Sequence, residues 1–223
     1  IDATKVVVAN KKLYINREEG FIGTALRKDE YISDCSDIDD IIVFREDGFM
    51  KVVKVDSKVF VGKGIIHAAV FKKKDVRTIY NMIYFEGKSS YSMMKRFNVS
   101  SITRNKDYCL TKSDTKSKIL YFTANPNGEA ETISIYLRKS QRLKILKFDY
   151  DFAELAIKGK ASVGNILTKN RIKKIELRSQ GVSTLGARKI WYDENVRRLN
   201  VEGRGELLGE FSANDKILTI NND

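Results

Sequence analysis

Several features are scarce in this chain, and each shortage excludes a class of protein. No apolar run approaches the roughly 18 residues that a membrane-spanning helix needs, so we predict a soluble protein without a membrane partner. The two cysteines, Cys35 and Cys109, occupy unrelated positions, which is typical of a reduced, cytoplasmic protein. The only histidine, His67, lies in an apolar stretch, so we predict no metal site and no histidine-based triad.

Residues and segments that would mark a domain boundary are also sparse. The single proline, Pro126, falls in a turn, and no low-complexity linker divides the sequence. We therefore expect one domain over residues 1–223. The chain starts at Ile1 without a visible leader and stops after a strand and the opening of a turn, so we expect a fragment of a longer polypeptide.

Positive charge is the feature that the chain has in excess. Lys and Arg number 41 and Asp and Glu 29, giving a formal net charge of +12. Such an excess attracts a polyanion, which could be DNA, RNA or an acidic membrane face. The membrane is the weaker alternative because no basic amphipathic helix is apparent.

One sequence pattern recurs along the chain: an apolar run, a short turn that contains Gly or Asn, and a second apolar run that carries Lys or Arg. This pattern is typical of β-hairpins, and its recurrence every roughly 40 to 50 residues is typical of a propeller-like repeat. We predict an all-β, propeller-like disc of about five four-stranded antiparallel blades. The predicted hairpins span residues 6–15, 41–55, 79–97, 119–137, 166–175 and 190–201.

Four segments carry a further likeness: Asp40–Gly48, Phe122–Ala130, Gly159–Leu167 and Arg204–Gly209. Their ordered series resembles the C-terminal domain of the bacterial type IIA topoisomerase A subunit. The likeness is greatest to the topoisomerase IV A subunit (ParC-like) of the Bacteroides group, with the gyrase A subunit next. It covers essentially the whole chain.

The resemblance implies a β-pinwheel, a propeller variant whose strands are shared between neighbouring blades and whose basic rim binds and bends duplex DNA. It implies that the whole enzyme carries out ATP-dependent relaxation and decatenation. The cleaving tyrosine lies in an N-terminal region that is not part of this sequence, so we expect no catalytic residue and no cofactor here. Mg and ATP would act through other domains, and the partners would be duplex DNA, the topoisomerase B subunit (ParE-like) and a second copy of the A subunit.

One departure from the gyrase pattern bears on the type of enzyme. The gyrase A subunits carry a Gln-Arg-Arg-Gly-Gly-Lys-Gly box, and this chain keeps only fragments of it at Val61–Gly64 and Ile157–Lys160. The departure favours the topoisomerase IV type.

Duplex DNA binding requires many modest phosphate contacts rather than one pocket, because Lys and Arg gain affinity by displacing condensed counterions. Neighbours on a strand, such as Lys95 and Arg96 or Lys173 and Lys174, point to opposite faces, so at most one of each pair need face DNA. The predicted DNA-binding residues are Lys63, Lys72, Lys73, Lys74, Arg77, Lys95, Arg96, Arg104, Arg138, Lys139, Arg142, Lys158, Lys160, Lys169, Arg171, Lys173, Lys174, Arg188 and Lys189.

Two other classes of function remain as alternatives. A protein-docking propeller of the Trp-Asp type would show recurring Trp-Asp dipeptides, whereas Trp191 is the only tryptophan. A propeller enzyme would need paired carboxylates or a nucleophile motif, and none is apparent.

Overall fold

Several central segments of this chain, such as Ile41–Phe44, are apolar at every position because both of their faces are buried. In the segment Ile41–Phe44, the side chains of Ile41 and Val43 pack on one side of the sheet, and those of Ile42 and Phe44 pack on the other. Alternate residues of a strand point to opposite faces, so a continuous apolar run indicates a strand whose two faces are both covered by other parts of the protein.

The computed structural model describes residues 10–113, 116–141, 143–212 and 215–220, and it is built almost entirely of β-strands. One single-turn 3-10 helix, Phe152–Glu154, is capped by the Asp151 carboxylate, which accepts from Ala153 N. The strands are β1 Lys11–Asn16, β2 Phe21–Gly23, β3 Glu30–Cys35, β4 Asp40–Arg45, β5 Phe49–Lys54, β6 Val59–Phe60, β7 Ile65–Phe71, β8 Ile79–Phe85, β9 Ser92–Asn98, β10 Tyr108–Cys109, β11 Lys118–Asn125, β12 Thr132–Leu137, β13 Lys147–Asp151, β14 Ile157–Gly159, β15 Asn165–Thr168, β16 Ile172–Ser179, β17 Arg188–Asp193, β18 Arg198–Asn200 and β19 Glu206–Phe211.

These strands form five sheets, which confirms the predicted all-β class and approximate blade number. The orders are β3-β1-β2-β6, β10-β5-β4-β7, β11-β8-β9 with β14 and β15 both beside β9, β13-β12-β16, and β18-β17-β19. The predicted four-stranded antiparallel blades are seen in the first two sheets, and the other three sheets differ in strand number. The described part of the chain gives the last two sheets three strands each, and β14 runs parallel to β9.

A regular exchange of strands links the first four sheets. After the hairpin β4-β5, the chain returns to the first sheet, where β6 pairs with β2, before β7 pairs with β4. After the hairpin β8-β9, β10 returns to β5 and then β11 pairs with β8. After β12-β13, β14 and β15 return to β9 and β16 pairs with β12. We call β6, β10, β14 and β15 the return strands.

This exchange corrects two of the predicted hairpins. Residues 119–137 and 166–175 do form strands around turns, but β11 pairs with β8, β12 with β13 and β16, and β15 with β9. The turn residues reverse the chain direction, while the strand on each side of the turn joins a different sheet. The predicted hairpins at 41–55, 79–97 and 190–201 are confirmed. The predicted strand at residues 6–8 lies outside the described part of the chain.

Three apolar clusters fill the spaces between successive sheets. Leu13, Ile22 and Ile41 belong to the cluster between the first and second sheets. Between the second and third sheets, the Phe44 ring lies 4.6 Å from that of Tyr80. A third cluster joins the third and fourth sheets. By contrast, no side chain of the described residues 188–211 is buried, so the fifth sheet depends much less on a core.

The aromatic cluster also forms the surroundings of His67, the single histidine. His67 is half-buried against Phe44 and Phe122, at centroid distances of 5.9 and 5.7 Å, and burial lowers its pKa to about 4. A neutral imidazole packed among rings agrees with the structural role expected for this residue. Among the described residues, no helix is long and apolar enough to cross a bilayer, and no group of three or more His, Cys, Asp or Glu side chains could hold a metal ion.

Gly164 gives a direct test of the return strands. Its φ is +88°, and a Cβ there would lie 2.3 Å from Met94 O and 2.9 Å from Lys95 Cβ, so only glycine lets the chain enter β15 against β9. We expect Gly164→Ala to lower the free energy of unfolding by about 1–3 kcal/mol in urea denaturation.

Gly159 provides the matched control. It lies in β14, the other return strand on β9, and a Cβ there would meet nothing within 4 Å. Gly159→Ala should change the free energy of unfolding by less than about 0.5 kcal/mol. Equal losses in the two variants would contradict the close approach at Gly164.

Candidate nucleic-acid interface

Two cationic segments flank the fourth sheet. Residues 138–147 and 157–175 contain no acidic residue, and Arg142 is the one cation among them that lies outside the described residues. We call the described cations of the two segments the basic seam. Its members are Arg138, Lys139, Lys144, Lys147, Lys158, Lys160, Lys169, Arg171, Lys173 and Lys174.

Strand pairing brings the two halves of the basic seam together. Tyr136 on β12 lies opposite Lys147 of β13 on one side and Lys174 of β16 on the other, so the two lysines flank one ring. Just beyond β12, Arg138 N donates to Arg171 O at 2.8 Å. Segments that are distant in sequence therefore share one surface, and the seam cations are exposed except for Lys160, which is half-buried.

The seam continues onto the third sheet through the return strands. Lys158 of β14 lies opposite Phe97, and Thr168 of β15 lies opposite Ser92, which are near the two ends of β9. A strand segment of that length spans about 16 Å, so Lys158 and Lys169, which follows Thr168, are spread along the sheet rather than gathered at a point.

Hydrogen bonds hold two seam lysines in defined positions. Lys160 Nζ donates to Ser101 O at 2.6 Å, and Lys174 Nζ donates to Glu176 Oε1 at 2.6 Å. The bond to Glu176 raises the pKa of Lys174. Lys173 has no partner residue in the register of β12 with β16, because the register shifts between Tyr136 and Leu137.

A second group of predicted cations surrounds one buried carboxylate. The Asp40 side chain, which is buried, accepts from Arg104 Nε at 2.7 Å, and Lys73 Nζ lies 3.8 Å from its other oxygen. Lys72 and Lys74 are exposed in the same turn after β7. This group is basic on balance, but one negative charge already neutralises part of it.

The predicted cations near the fifth sheet are more engaged with protein atoms. Arg77 is half-buried and donates from Nη2 to Gly186 O at 3.0 Å. Arg188 is half-buried on β17, and its exposed neighbour Lys189 lies 3.9 Å from Glu210 Oε1. These three residues are therefore weaker candidates for phosphate contact than the members of the basic seam.

The structure corrects the prediction for Lys95 and Arg96, because both residues are only 2% exposed. Lys95 Nζ donates to three carbonyl oxygens, those of Leu110 at 2.8 Å, Lys160 at 2.8 Å and Ser162 at 2.7 Å. This one ammonium fastens the end of β10 and the loop between β14 and β15 to β9. It supports the seam from beneath and cannot reach DNA.

Arg96 occupies the opposite face of β9 and joins a buried polar network. Its Nε donates to Asn81 Oδ1 at 3.0 Å and its Nη2 to Gly128 O at 2.7 Å. Asn81 Nδ2 donates in turn to Glu131 Oε2 at 2.7 Å. The network connects the third sheet to the start of the fourth, so Arg96 is a structural residue.

The sequence prediction also omitted cations that the fold brings to the seam. Lys144 and Lys147 are exposed in the segment that begins at Arg138, and Lys147 lies opposite Tyr136. The acid-free run 138–147 was the available signal, but the position of Lys147 depends on the pairing of β13 with β12.

The comparisons with known proteins agree with this architecture. The family described as "Topoisomerase C-terminal domain, Bacteroidota" matches residues 12–179. The chain belongs to this family. It is 28% identical over 176 residues to the A subunit of DNA topoisomerase 4 from Borreliella burgdorferi, a match that covers 78% of this chain and 26% of that protein. The chain thus spans about a quarter of the length of this curated relative.

A crystal structure of the C-terminal domain of DNA topoisomerase IV shares the fold. It superimposes with a TM-score of 0.51 over 92% of this chain and 78% of that one, at 11% identity. The family resemblance and the β-pinwheel class predicted for this topoisomerase domain are therefore confirmed. Within that family of topoisomerase C-terminal domains, the chain is similar to the topoisomerase IV A subunit.

The surviving fragments of the gyrase box have structural explanations in this topoisomerase domain. Gly62 has a φ of +104°, and a Cβ there would lie 2.7 Å from the Arg45 guanidinium, so this glycine admits a packed arginine. Lys63 beside it is exposed. The second fragment, Ile157–Lys160, is the return strand β14 and the residue after it.

Lys95 leads to a pH-dependent prediction. Burial lowers its pKa from the ordinary 10.5 to about 7. Between these values the unfolded chain binds more protons at this site than the folded chain, so the contribution of Lys95 to stability rises with pH from about 7 upward and is flat below. The free-energy gap between wild type and Lys95→Met should therefore widen from pH 7 to 9, by at most about 1.4 kcal/mol per pH unit.

Urea denaturation of both proteins at about pH 6, 7, 8 and 9 measures this gap, since all other titrating groups are common to the two. The wild type should be the more stable protein throughout, because methionine leaves three buried carbonyl oxygens without a donor. Curves that stay parallel over this pH range would mean that the three carbonyls keep the ammonium charged.

Proposed function

We propose that this domain binds and bends duplex DNA through the basic seam, as the C-terminal domain of a topoisomerase IV-type A subunit. The observation that carries the proposal is the convergence of two acid-free cationic segments, 138–147 and 157–175, on one surface through the pairing of β13, β12 and β16. Membership of the topoisomerase family supports DNA as the polyanion.

The arrangement suits a duplex and requires no sequence recognition. Duplex DNA carries one negative charge per roughly 1.7 Å of axis, so the span of about 16 Å along β9 faces several phosphates at once. Each Lys or Arg that displaces a condensed counterion adds affinity, whatever the base sequence. Cations spread over neighbouring sheets also offset part of the bending cost, which is on the order of a few kcal/mol for a short arc.

The role of the whole enzyme is part of the same proposal. The domain would guide DNA for ATP-dependent relaxation and decatenation in the cytoplasm, while strand cleavage, Mg and ATP belong to other regions and to the B subunit. The isolated 223-residue chain, a single domain of a longer polypeptide, would bind DNA without changing its topology. Loss of decatenation when this domain is deleted from the full-length protein, with DNA cleavage retained, would support this role, and unchanged decatenation would contradict it.

Salt-dependent binding tests the DNA interface directly. Neutralising four exposed seam residues, Arg138, Lys139, Lys169 and Arg171, to Gln should reduce the slope of log affinity against log salt by up to about 3.6, which is about 0.9 for each lost phosphate contact. Fluorescence anisotropy on a labelled linear duplex from about 50 to 300 mM salt measures the slope.

The matched control removes the same number of exposed cations away from the seam: Lys12, Arg27, Lys28 and Lys54 to Gln. Because net charge falls by the same amount in both variants, a general electrostatic effect would weaken both equally. We expect the control to lose much less affinity. A shallow wild-type slope, indicating fewer than about three phosphate contacts, would refute the interface.

A further inference from the structure

Aromatic rings lie beneath the cations at several points of the basic seam. The ammonium of Lys174 lies 4.4 Å and that of Lys147 5.2 Å from the ring centre of Tyr136. On the second sheet, the ring centre of Tyr108 lies 5.1 Å from the ammonium of Lys160 and 5.4 Å from that of Lys106. Each of these two rings therefore contacts two cationic side chains.

A third site of this kind lies where the chain passes from β15 to β16. Lys169 Nζ is 5.4 Å from the ring centre of Tyr91, and the Arg171 guanidinium is 5.8 Å from that of Phe85. Both rings belong to the β8-β9 hairpin region of the third sheet, whereas both cations lie between strands that join the third and fourth sheets. Lys160 likewise reaches from the loop after β14 to Tyr108 of the second sheet. The rings thus hold cations at junctions between neighbouring sheets.

The electrostatics of these contacts favour a specific role. Two ammonium groups beside one ring repel each other, and the negative face of the ring attracts both within about 6 Å. A free lysine loses rotamer freedom when it binds a phosphate, and a lysine already resting on a ring has lost part of that freedom beforehand. An ammonium has three N–H groups, and the bonds from Lys160 to Ser101 and from Lys174 to Glu176 use one each, which leaves others for a phosphate oxygen.

We propose that Tyr91, Tyr108 and Tyr136 are positioning residues for DNA binding: each ring fixes a seam cation where it meets the phosphate backbone. The inference rests on the proposed function and extends it from charged to aromatic residues. The backbones of these tyrosines are set by β-pairing or adjoining turns, and the Tyr108 hydroxyl accepts from Thr103 N at 2.7 Å, so the ring is held from a second side. The three rings lie on three successive sheets, which makes them a repeated device.

Leucine and phenylalanine replacements separate the ring from the bulk and from the hydroxyl. Tyr91→Leu, Tyr108→Leu and Tyr136→Leu should each weaken duplex binding about 2- to 5-fold, the range of an exposed cation–ring contact. The salt slope should stay at the wild-type value, because the number of phosphate contacts is unchanged. Tyr91→Phe keeps the ring and should bind like wild type. Tyr108→Phe and Tyr136→Phe keep the ring but lose the hydroxyl bonds to Thr103 and Glu176, so they should bind between wild type and the Leu variants.

Phe21 supplies a matched control outside the seam. Lys58 Nζ lies 4.2 Å from its ring centre on the first sheet, so Phe21→Leu removes a comparable contact without touching a seam cation. Its affinity for the duplex should be unchanged. Losses as large as those of the Tyr→Leu variants would overturn the inference, as would Phe variants that bind as poorly as Leu variants.

A double-mutant cycle protects the test from effects on folding. If Tyr91 acts through Lys169, then Tyr91→Leu should cost affinity in the wild type and nothing in a Lys169→Gln background. Equal losses in both backgrounds would point to disturbed packing and overturn the inference. A wild-type chain that binds DNA with a steep salt slope while all Leu variants match it would refute only the aromatic role. A wild-type chain with no salt-dependent binding would refute the proposed function and, with it, the inference.

Discussion

Backbone hydrogen bonds between each of the first three sheets and a strand from the following repeat are the interaction on which the rest of the domain depends. The return strands are short, with β6 and β10 containing only two residues each, yet they close the exposed edges of β2, β5 and β9. Unpaired strand edges are costly and prone to misassociation, so this pairing removes a liability while it fixes the order of the sheets. The seam cations of residues 157–175 lie on or beside the segment that contains β14 and β15. The spacing of these cations therefore depends on the pairing of β14 and β15 with β9.

The buried cations Lys95 and Arg96 show why net charge overstates the interface. A buried charge needs full hydrogen bonding, and both residues obtain it, from three carbonyls in one case and from a polar network in the other. The surface that faces a polyanion is defined by the remaining cations and by the carboxylates among them. Asp40 draws Arg104 and Lys73 into ion pairs, and Glu176 draws in Lys174. The other cations of the segment 157–175 form no ion pair with an acid of the described residues.

The sequence predicted the strands better than their partners. Apolar alternation and turn residues located β4, β5, β8 and β9 and their hairpins, because local chemistry decides both chain reversal and adjacent pairing there. Around Gly128 and Asn170 the same chemistry reverses the chain, but the partner strand is chosen by a vacant edge of a sheet far away in sequence. For the same reason the sequence predicted a basic surface but not the burial of Lys95, nor the meeting of Lys147 and Lys174 at Tyr136, both of which depend on register.

The delayed delivery of return strands has a consequence for biosynthesis. The first sheet lacks its fourth strand until Phe60 has emerged from the ribosome, and the second lacks its own until Cys109 has emerged. Each of the first three sheets is thus completed about one repeat after its own hairpin is translated, so an intermediate with one open sheet edge accompanies their synthesis. A ribosomal pause between repeats would prolong the lifetime of that intermediate, and synonymous codon choice near these boundaries would then influence the yield of native protein.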